Sequence, residues 1–182
     1  MEIELNYVKN EGDVQKFAEN YYDLSPNIKK GQIWTLLSVL VVSLIVAFPL
    51  HKIFEGGVLS YLLLVLILLI SCPIPALREH KKDAIKNINK TLTSKYTGVL
   101  GEYNAILDED EIHVTYLPND TKRERNMTTK WVEFDFYNRD EDHFFIYINK
   151  SRLTYHLIAG EQSEKLDKFL KDRGLVQKNK KY

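Results

Sequence analysis

Residues 33–50 read IWTLLSVLVVSLIVAFPL, eighteen positions without an acidic or basic side chain. Wound as a helix at about 1.5 Å per residue they reach about 27 Å, close to the roughly 30 Å hydrocarbon core of a bilayer. Shortly after, residues 56–77, GGVLSYLLLVLILLISCPIPAL, form a second uncharged run of 22, enough for about 33 Å. Ile53 and Phe54 extend the first run beyond Lys52. Two adjacent runs this apolar are hydrophobic on every face, and a small domain lacks the polar surface to cover them. A signal peptide is not expected, because a polar segment precedes the first run and the second follows almost at once. The pattern predicts a transmembrane helical hairpin over 31–77, with spans at about 33–54 and 57–77.

Lysine and arginine near the ends of the spans set their direction. Lys29 and Lys30 precede the first; Arg78, Lys81, Lys82, Lys86, Lys90 and Lys95 follow the second. The connector HKIFEGG holds only Lys52, with a tight turn expected at Glu55, Gly56 and Gly57. A two-pass protein with both termini cytoplasmic follows, with membrane lipid as its first partner. Trp34 suits the head-group layer, and with Lys29, Lys30, Arg78, Lys81 and Lys82 it makes up the expected membrane-interface set. Pro73 and Pro75 are expected to kink or end the second span. Ser38, Ser43, Ser60 and Ser71 read as helix-packing residues. The interiors of the spans lack the ionisable residues of a proton or ion pathway, which disfavours a transporter or pump.

Over all 182 residues, 25 basic side chains balance 25 acidic ones. That balance argues against nucleic acid as a partner, since such binding needs a basic surface. Cys72 is the sole cysteine, so neither an internal disulfide nor a cysteine zinc cluster is possible.

Outside the hairpin the periodicity changes. In MEIELNYV, Ile3, Leu5 and Tyr7 alternate with polar residues, the mark of a strand with one buried face. Asp13 to Leu24 carries Val14, Phe17, Ala18, Tyr21 and Tyr22 at helical spacing, and Pro26 is expected to end that helix. This N-terminal strand and helix (1–30) are expected on the cytosolic side with the rest, where the strand can add to its sheet. A basic juxtamembrane helix is predicted over 78–97. From Gly98 the period is two. Tyr103, Ala105 and Leu107, then Ile112, Val114 and Tyr116, predict a hairpin turning at Asp108–Asp110. A polar strand is expected over Thr121–Thr129. Next comes WVEFDFYNRDEDHFFIYI (131–148), read as strand, turn at Asn138–Asp142, strand. Asn149, Lys150 and Ser151 turn the chain into Arg152–Ile158. A helix from about Glu161 to Arg173 buries Leu166, Phe169 and Leu170, and Gly174 stops it. Residues 98–182 thus form a cytosolic antiparallel β domain with a C-terminal helix. The element order is that of a pleckstrin-homology-like or GRAM-like barrel, which makes the whole chain an α+β membrane protein.

On the strand MEIELNY, the two adjacent spans with the basic helix, LGEYNAILDEDEIHV, the stretch before Trp131 and the final strands and helix, the chain resembles the YcxB-like bacterial membrane protein family. The resemblance covers nearly the full chain. It implies a bacterial cell-membrane location and a pleckstrin-homology-like C-terminal domain. It carries over no catalytic residue.

No phosphate loop, HExxH, nucleophile elbow or CxxC occurs. The chain is therefore read as a non-enzyme without a cofactor or metal. His113, His143 and His156 fall on predicted strands, and a convergent three-histidine zinc site is the sharpest alternative. The acids of DEDE (108–111) lack calcium-loop spacing and read as a solvated turn. Lys122, Arg123 and Arg125 form a basic patch suited to lipid phosphate. In 131–148, Phe134 and Phe136 are expected to share one core face with Phe144, Ile146 and Ile148. Tyr137, Phe145 and Tyr147 fall on the other face, which something else must cover. Those three aromatics and the basic patch form the expected interaction surface. The functional expectation is a membrane-anchored cytosolic interaction module that meets lipid or an unidentified protein; the alternative is a small immunity protein against a cognate toxin.

Overall fold

A computed structural model describes residues 2–53, 57–94, 99–119, 123–148 and 152–178, without the side chains of 26 and 152–154. Phe54, Glu55 and Gly56 of the connector, Lys95, Lys122 and the turn at 149–151 lie outside the described residues.

The chain divides into two units, residues 27–84 and a second one built from 1–26 and 85–182. The first is helical. Helix α2 (Pro26–Ile53) and helix α3 (Val58–Ser71) carry the two apolar runs, and α4 (Pro73–Leu92) follows after a break at Cys72. Both apolar stretches are long enough to cross a membrane. The break expected at Pro73 is found, since α3 stops at Ser71; Pro73 and Pro75 then stand in the first turn of α4, where proline is tolerated because its missing N–H has no partner to lose. Pro26 likewise starts α2 instead of merely stopping the helix before it. Among the described residues of this unit only Ser43, Ala47 and Val65 are buried. Ser43 and Ala47 lie one turn apart on α2, while Ile45, Ile67 and Ile70 are exposed. The Tyr61 hydroxyl donates to the Leu44 carbonyl (3.3 Å), and His51 Nδ1 bonds Ser60 Oγ (2.9 Å). Ser38 and Ser71 instead turn back onto carbonyls of their own helices.

In the second unit β1 (Ile3–Lys9) leads into α1 (Glu11–Leu24). Asn10 caps α1: its Oδ1 accepts from the Gly12 and Asp13 amides, and Asp13 Oδ2 accepts from the Asn10 amide. This reciprocal cap satisfies orphan donors of the first turn. Then come β2 (Gly101–Leu107), β3 (Glu111–Pro118), β4 (Arg125–Lys130), β5 (Phe134–Asp140), β6 (His143–Ile148), β7 (Arg152–Ile158), α5 (Ser163–Asp172) and a two-residue β8 (Val176–Gln177). One sheet runs β1-β2-β3-β4, the other β7-β6-β5-β8. All neighbours are antiparallel except β8, which lies parallel to β5. The N-terminal strand thus joins the sheet, from Ile3 opposite Leu107 to Lys9 opposite Gly101.

One core lies between the sheets. Ile3, Leu5, Ala105, Leu107, Ile112 and Val114 meet Phe134, Tyr137, Phe144, Ile146 and Leu157 there, and α5 adds Leu166, Phe169 and Leu170. The Tyr137 hydroxyl donates to Asp167 Oδ1 (2.6 Å), and Arg139 pairs with Glu164 (2.6 Å), which clips α5 to β5. At the edges the Tyr7 hydroxyl reaches the His156 carbonyl (3.2 Å), joining β1 to β7.

The faces of 131–148 differ from the expected assignment. Phe134 opposes Ile148 and Phe136 opposes Tyr147, so Asp135 is an extra residue on β5. That bulge reverses the alternation beyond it. Tyr137 joins Phe134 in the core, and Phe136 moves to the far face with Phe145 and Tyr147. Asn138 is a buried strand residue rather than a turn residue; the reversal is only Glu141–Asp142, with Glu141 at φ +57°. Tyr137, Phe145 and Tyr147 are all fully buried and form no exposed interaction surface. What covers the far face is α1, through Phe17 and Leu24 and through Asn20, which accepts from the Tyr147 hydroxyl and donates to Asn138.

Helix α1 is thus the second wall of this sheet. Phe145→Ala should destabilise the unit by about 3–5 kcal/mol, the usual cost of emptying a buried aromatic site. Tyr147→Phe, which strands the buried Asn20 oxygen, should cost about 1–3 kcal/mol. Chemical denaturation in detergent, followed by tertiary-structure circular dichroism, checks both.

Candidate functional site

Cross-strand register builds a ladder on the inner face of the first sheet. Tyr7, Tyr103, Tyr116 and Arg125 are successive partners across β1, β2, β3 and β4. The three rings stack nearly parallel, with centroids 5.3 and 5.0 Å apart. The Arg125 guanidinium ends the row and donates to the Tyr116 hydroxyl (3.2 Å). Two residues after Tyr7, on the same face, Lys9 lays its Nζ 4.1 Å from the Tyr103 ring centre and 5.6 Å from that of Tyr7.

These groups border a cavity of about 250 Å³. Val14 and Phe17 of α1, with Val99 and Val114, supply apolar wall, and Tyr155 and His156 of β7 also line it. Its hydroxyls are engaged. Tyr7 donates to the His156 carbonyl, Tyr103 to the Val99 carbonyl (2.7 Å), and Tyr155 bonds Thr129 Oγ1 (2.8 Å). Burial pushes the Tyr7 and Tyr103 phenols far above their ordinary range, and each neighbouring phenol adds to the effect. Lys9 differs. It makes no hydrogen bond or ion pair with a described residue. Desolvation brings its ammonium down to about 7, against a smaller opposing pull from Asp13.

Beside the cavity lies a histidine pair. His143 Nδ1 and His156 Nε2 are 2.8 Å apart, both rings are buried, and Phe145 stacks on His156 at 4.6 Å. His143 Nε2 faces Asp142 (3.5 Å) and Asp13 (3.8 Å). Burial lowers the pKa of both; Lys16 reinforces this at His143, while Asp142, Asp13 and Asp140 oppose it. At His156 Lys9 and His143 add to the lowering. One ring donates to the other, so the pair is built to be neutral.

The three predicted histidines therefore do not converge. His113 sits on the other sheet, bonded to Thr128 Oγ1 (2.9 Å) and 3.0 Å from Glu111. With Asp108 and Glu111 it places ligand-type atoms within 4.8 Å of one another, on a partly exposed hairpin. Asp108 Oδ1 already accepts from the Asp110 and Glu111 amides, which holds its carboxyl below the usual range and fits the turn expected there. Of the basic patch, Arg125 joins the ladder, Arg123 is exposed, and Lys122 lies outside the described residues. Trp34, Lys29, Lys30, Arg78 and Lys82 are exposed on the helical unit, with Lys82 paired to Glu79 (2.6 Å), and Lys81 is half-buried. Lys9 and the tyrosine ladder were missed in the sequence. Their signal was present, because Tyr7, Tyr103 and Tyr116 each mark one end of an alternating strand.

Two consequences are measurable. The ordinary imidazole value is 6.5, and both folded values lie below it. Folding therefore releases protons in acid: the pair's contribution is complete above about pH 6.5 and is lost as pH falls through the folded values. Melting temperature and protection of α1 amides from exchange should both drop between about pH 7.5 and 5, and His156→Phe should flatten that slope. Lys9→Met should raise the melting temperature at about pH 6, because an ammonium without a counter-ion leaves a desolvated site.

Compared with known proteins, the chain matches no family model, no curated protein and no solved structure.

Proposed function

We propose that the chain is a two-pass protein of the bacterial cell membrane, akin to the YcxB-like family, with both termini cytoplasmic and a cytosolic interaction module on its hairpin. The observation that carries this is the pairing of β1 with β2. One strand precedes the first apolar helix and the other follows the second. Strands of one sheet lie on one side of any membrane, so the chain crosses an even number of times. Lys29 and Lys30 before the first span, and Arg78, Lys81 and Lys82 after the second, mark that side as cytoplasmic.

A pleckstrin-homology-like plan is supported by four antiparallel strands, then three, then a helix whose apolar stripe enters their common core. On this reading the hairpin is an insertion between the first and second strands of the module. Of the aromatics expected at the surface, Phe145 and Tyr147 are covered by α1 and Tyr137 lies in the core between the sheets, so the cavity beside Lys9 is taken as the interaction site. The module then carries a binding site on the cytoplasmic side, and the hairpin meets membrane lipid.

Reporter fusions test the topology. A fluorescent protein at either terminus should be active in the cytoplasm. A cysteine replacing Gly57, in a Cys72→Ser background, should react with an impermeant maleimide from outside intact spheroplasts. Termini on opposite sides would remove the proposal.

A further inference from the structure

We propose that the cavity beside the tyrosine ladder is a binding site for a small amphipathic acid, one carboxylate on an apolar body, with Lys9 as the group that receives the carboxylate. This deepens the interaction module proposed above by naming its ligand class; the site itself does not depend on the direction of the membrane hairpin.

Three observations carry it. The first is the state of Lys9. Its ammonium has three donors, and none meets an acceptor among the described residues. The elements around it supply no free counter-charge among the described residues. Tyr7 on its own strand and Tyr103 on β2 offer ring faces. Tyr116 on β3 and Arg125 on β4 bond each other. His156 on β7 is tied to His143. Asp13 on α1 is the acid that acts on Lys9, and its carboxylate is held by the Asn10 amide and turned toward His143. An anion entering the cavity is the missing partner.

The second is the remaining lining. Because the phenols and the histidine pair are engaged with one another, the rest of the wall presents ring faces and aliphatic groups. A site with one open cation and otherwise apolar walls selects a ligand with one charged end. A polyanion or a sugar would leave polar groups desolvated without partners.

The third is size. At about 30 Å³ per water-sized atom, 250 Å³ holds about eight non-hydrogen atoms. Hexanoate brings eight such atoms, a monocyclic aromatic acid lying against the ladder about nine, and octanoate ten, the upper end of that bulk. Such an acid can come from the cytosol or from the lipid phase, and its carboxylate is common to both sources.

Proton linkage gives the site a signature beyond occupancy. The empty site holds a lysine near 7, and a bound carboxylate stabilises the ammonium, so binding above neutrality takes up one proton. Affinity should fall as pH rises above neutrality.

The test uses the full chain in nanodiscs, with empty discs subtracted, and octanoate as the probe. Calorimetry is run with octanoate, octan-1-ol and acetate at about pH 6.5, 7.5 and 8.5. In parallel, ¹³C-methylation of the lysines follows Lys9 by nuclear magnetic resonance, assigned by its loss in Lys9→Met. Octanoate should bind at least tenfold more tightly than octanol or acetate. Its affinity should fall with pH as stated, and the Lys9 resonance should titrate at higher pH when octanoate is present. Lys9→Met should abolish the preference for octanoate over octanol. Octanoate added to discs pre-loaded with it, compared with octanoate from solution alone, separates the lipid route from the cytosolic one; saturation by either supports the site. Octanoate uptake no greater than by empty discs, equal affinity for octanol, or an unchanged Lys9 titration would overturn the proposal. The topology reporters can succeed or fail independently of this result.

Discussion

The seven-residue pairing of β1 with β2 is the constraint on which the rest depends. Side chains 100 positions apart in sequence meet across it, as where Asn104 Nδ2 donates to Glu4 Oε1 at 2.8 Å. Without β1 the first sheet ends at β2, and the core loses Ile3 and Leu5, both buried. The Tyr7 bond to β7 and the Lys9 side of the cavity go with it. Because α1 follows β1 directly, the same pairing delivers the helix that covers the second sheet. Fold, candidate site and proposed topology thus rest on one strand register.

Closing so large a loop carries an entropic cost that grows only slowly with its length, roughly with the logarithm of the residues enclosed. The long insertion is therefore compatible with a stable sheet. If a membrane holds α2 and α3 as a hairpin, the freedom lost on closure is smaller still. Two layers of contact offset the cost that remains. One is the core between the sheets; the other is the far face, where Phe136, Phe145 and Tyr147 meet α1 around the buried Asn20–Asn138 bond. The polar part of that contact fixes register, since a one-residue slip of β6 would carry Tyr147 away from Asn20. The carbonyl of Lys178 accepts from Asn138, extending the network to the residue after β8.

Much of this was legible in the residues. Alternation at Ile3, Leu5 and Tyr7, at Tyr103, Ala105 and Leu107, and at Ile112, Val114 and Tyr116 gave the strands and their inner faces. The stripe Leu166, Phe169, Leu170 gave the closing helix. What failed has identifiable causes. Period-two counting assumes no bulge, and the extra Asp135 put Phe136 and Tyr137 on the wrong faces. Asn138 carries turn chemistry in isolation, yet tertiary hydrogen bonds to α1 and beyond β8 hold it in a strand. A strand pattern shows that a face is apolar without saying what covers it, so nothing in the alternation pairs α1 with Phe145 and Tyr147. Lys9 at the end of a strand looks like a solvated charge. Only the register with Tyr103 shows it lying over rings beside a cavity.

The register of β1 can be measured directly. Asn6 and Asn104 are cross-strand partners on the outer face, with Asn104 Nδ2 donating to Asn6 Oδ1 at 2.7 Å. Directly opposite residues of an antiparallel pair bring their Cβ atoms to about 4.5–5.5 Å, a short adjustment from disulfide geometry. In a Cys72→Ser background, Asn6→Cys with Asn104→Cys should cross-link rapidly and nearly completely under mild oxidation in native membranes. Asn6→Cys with Thr115→Cys, one strand further away, should not. Equal yields for the two pairs, or cross-linking only between molecules, would contradict a sheet completed by the N-terminal strand.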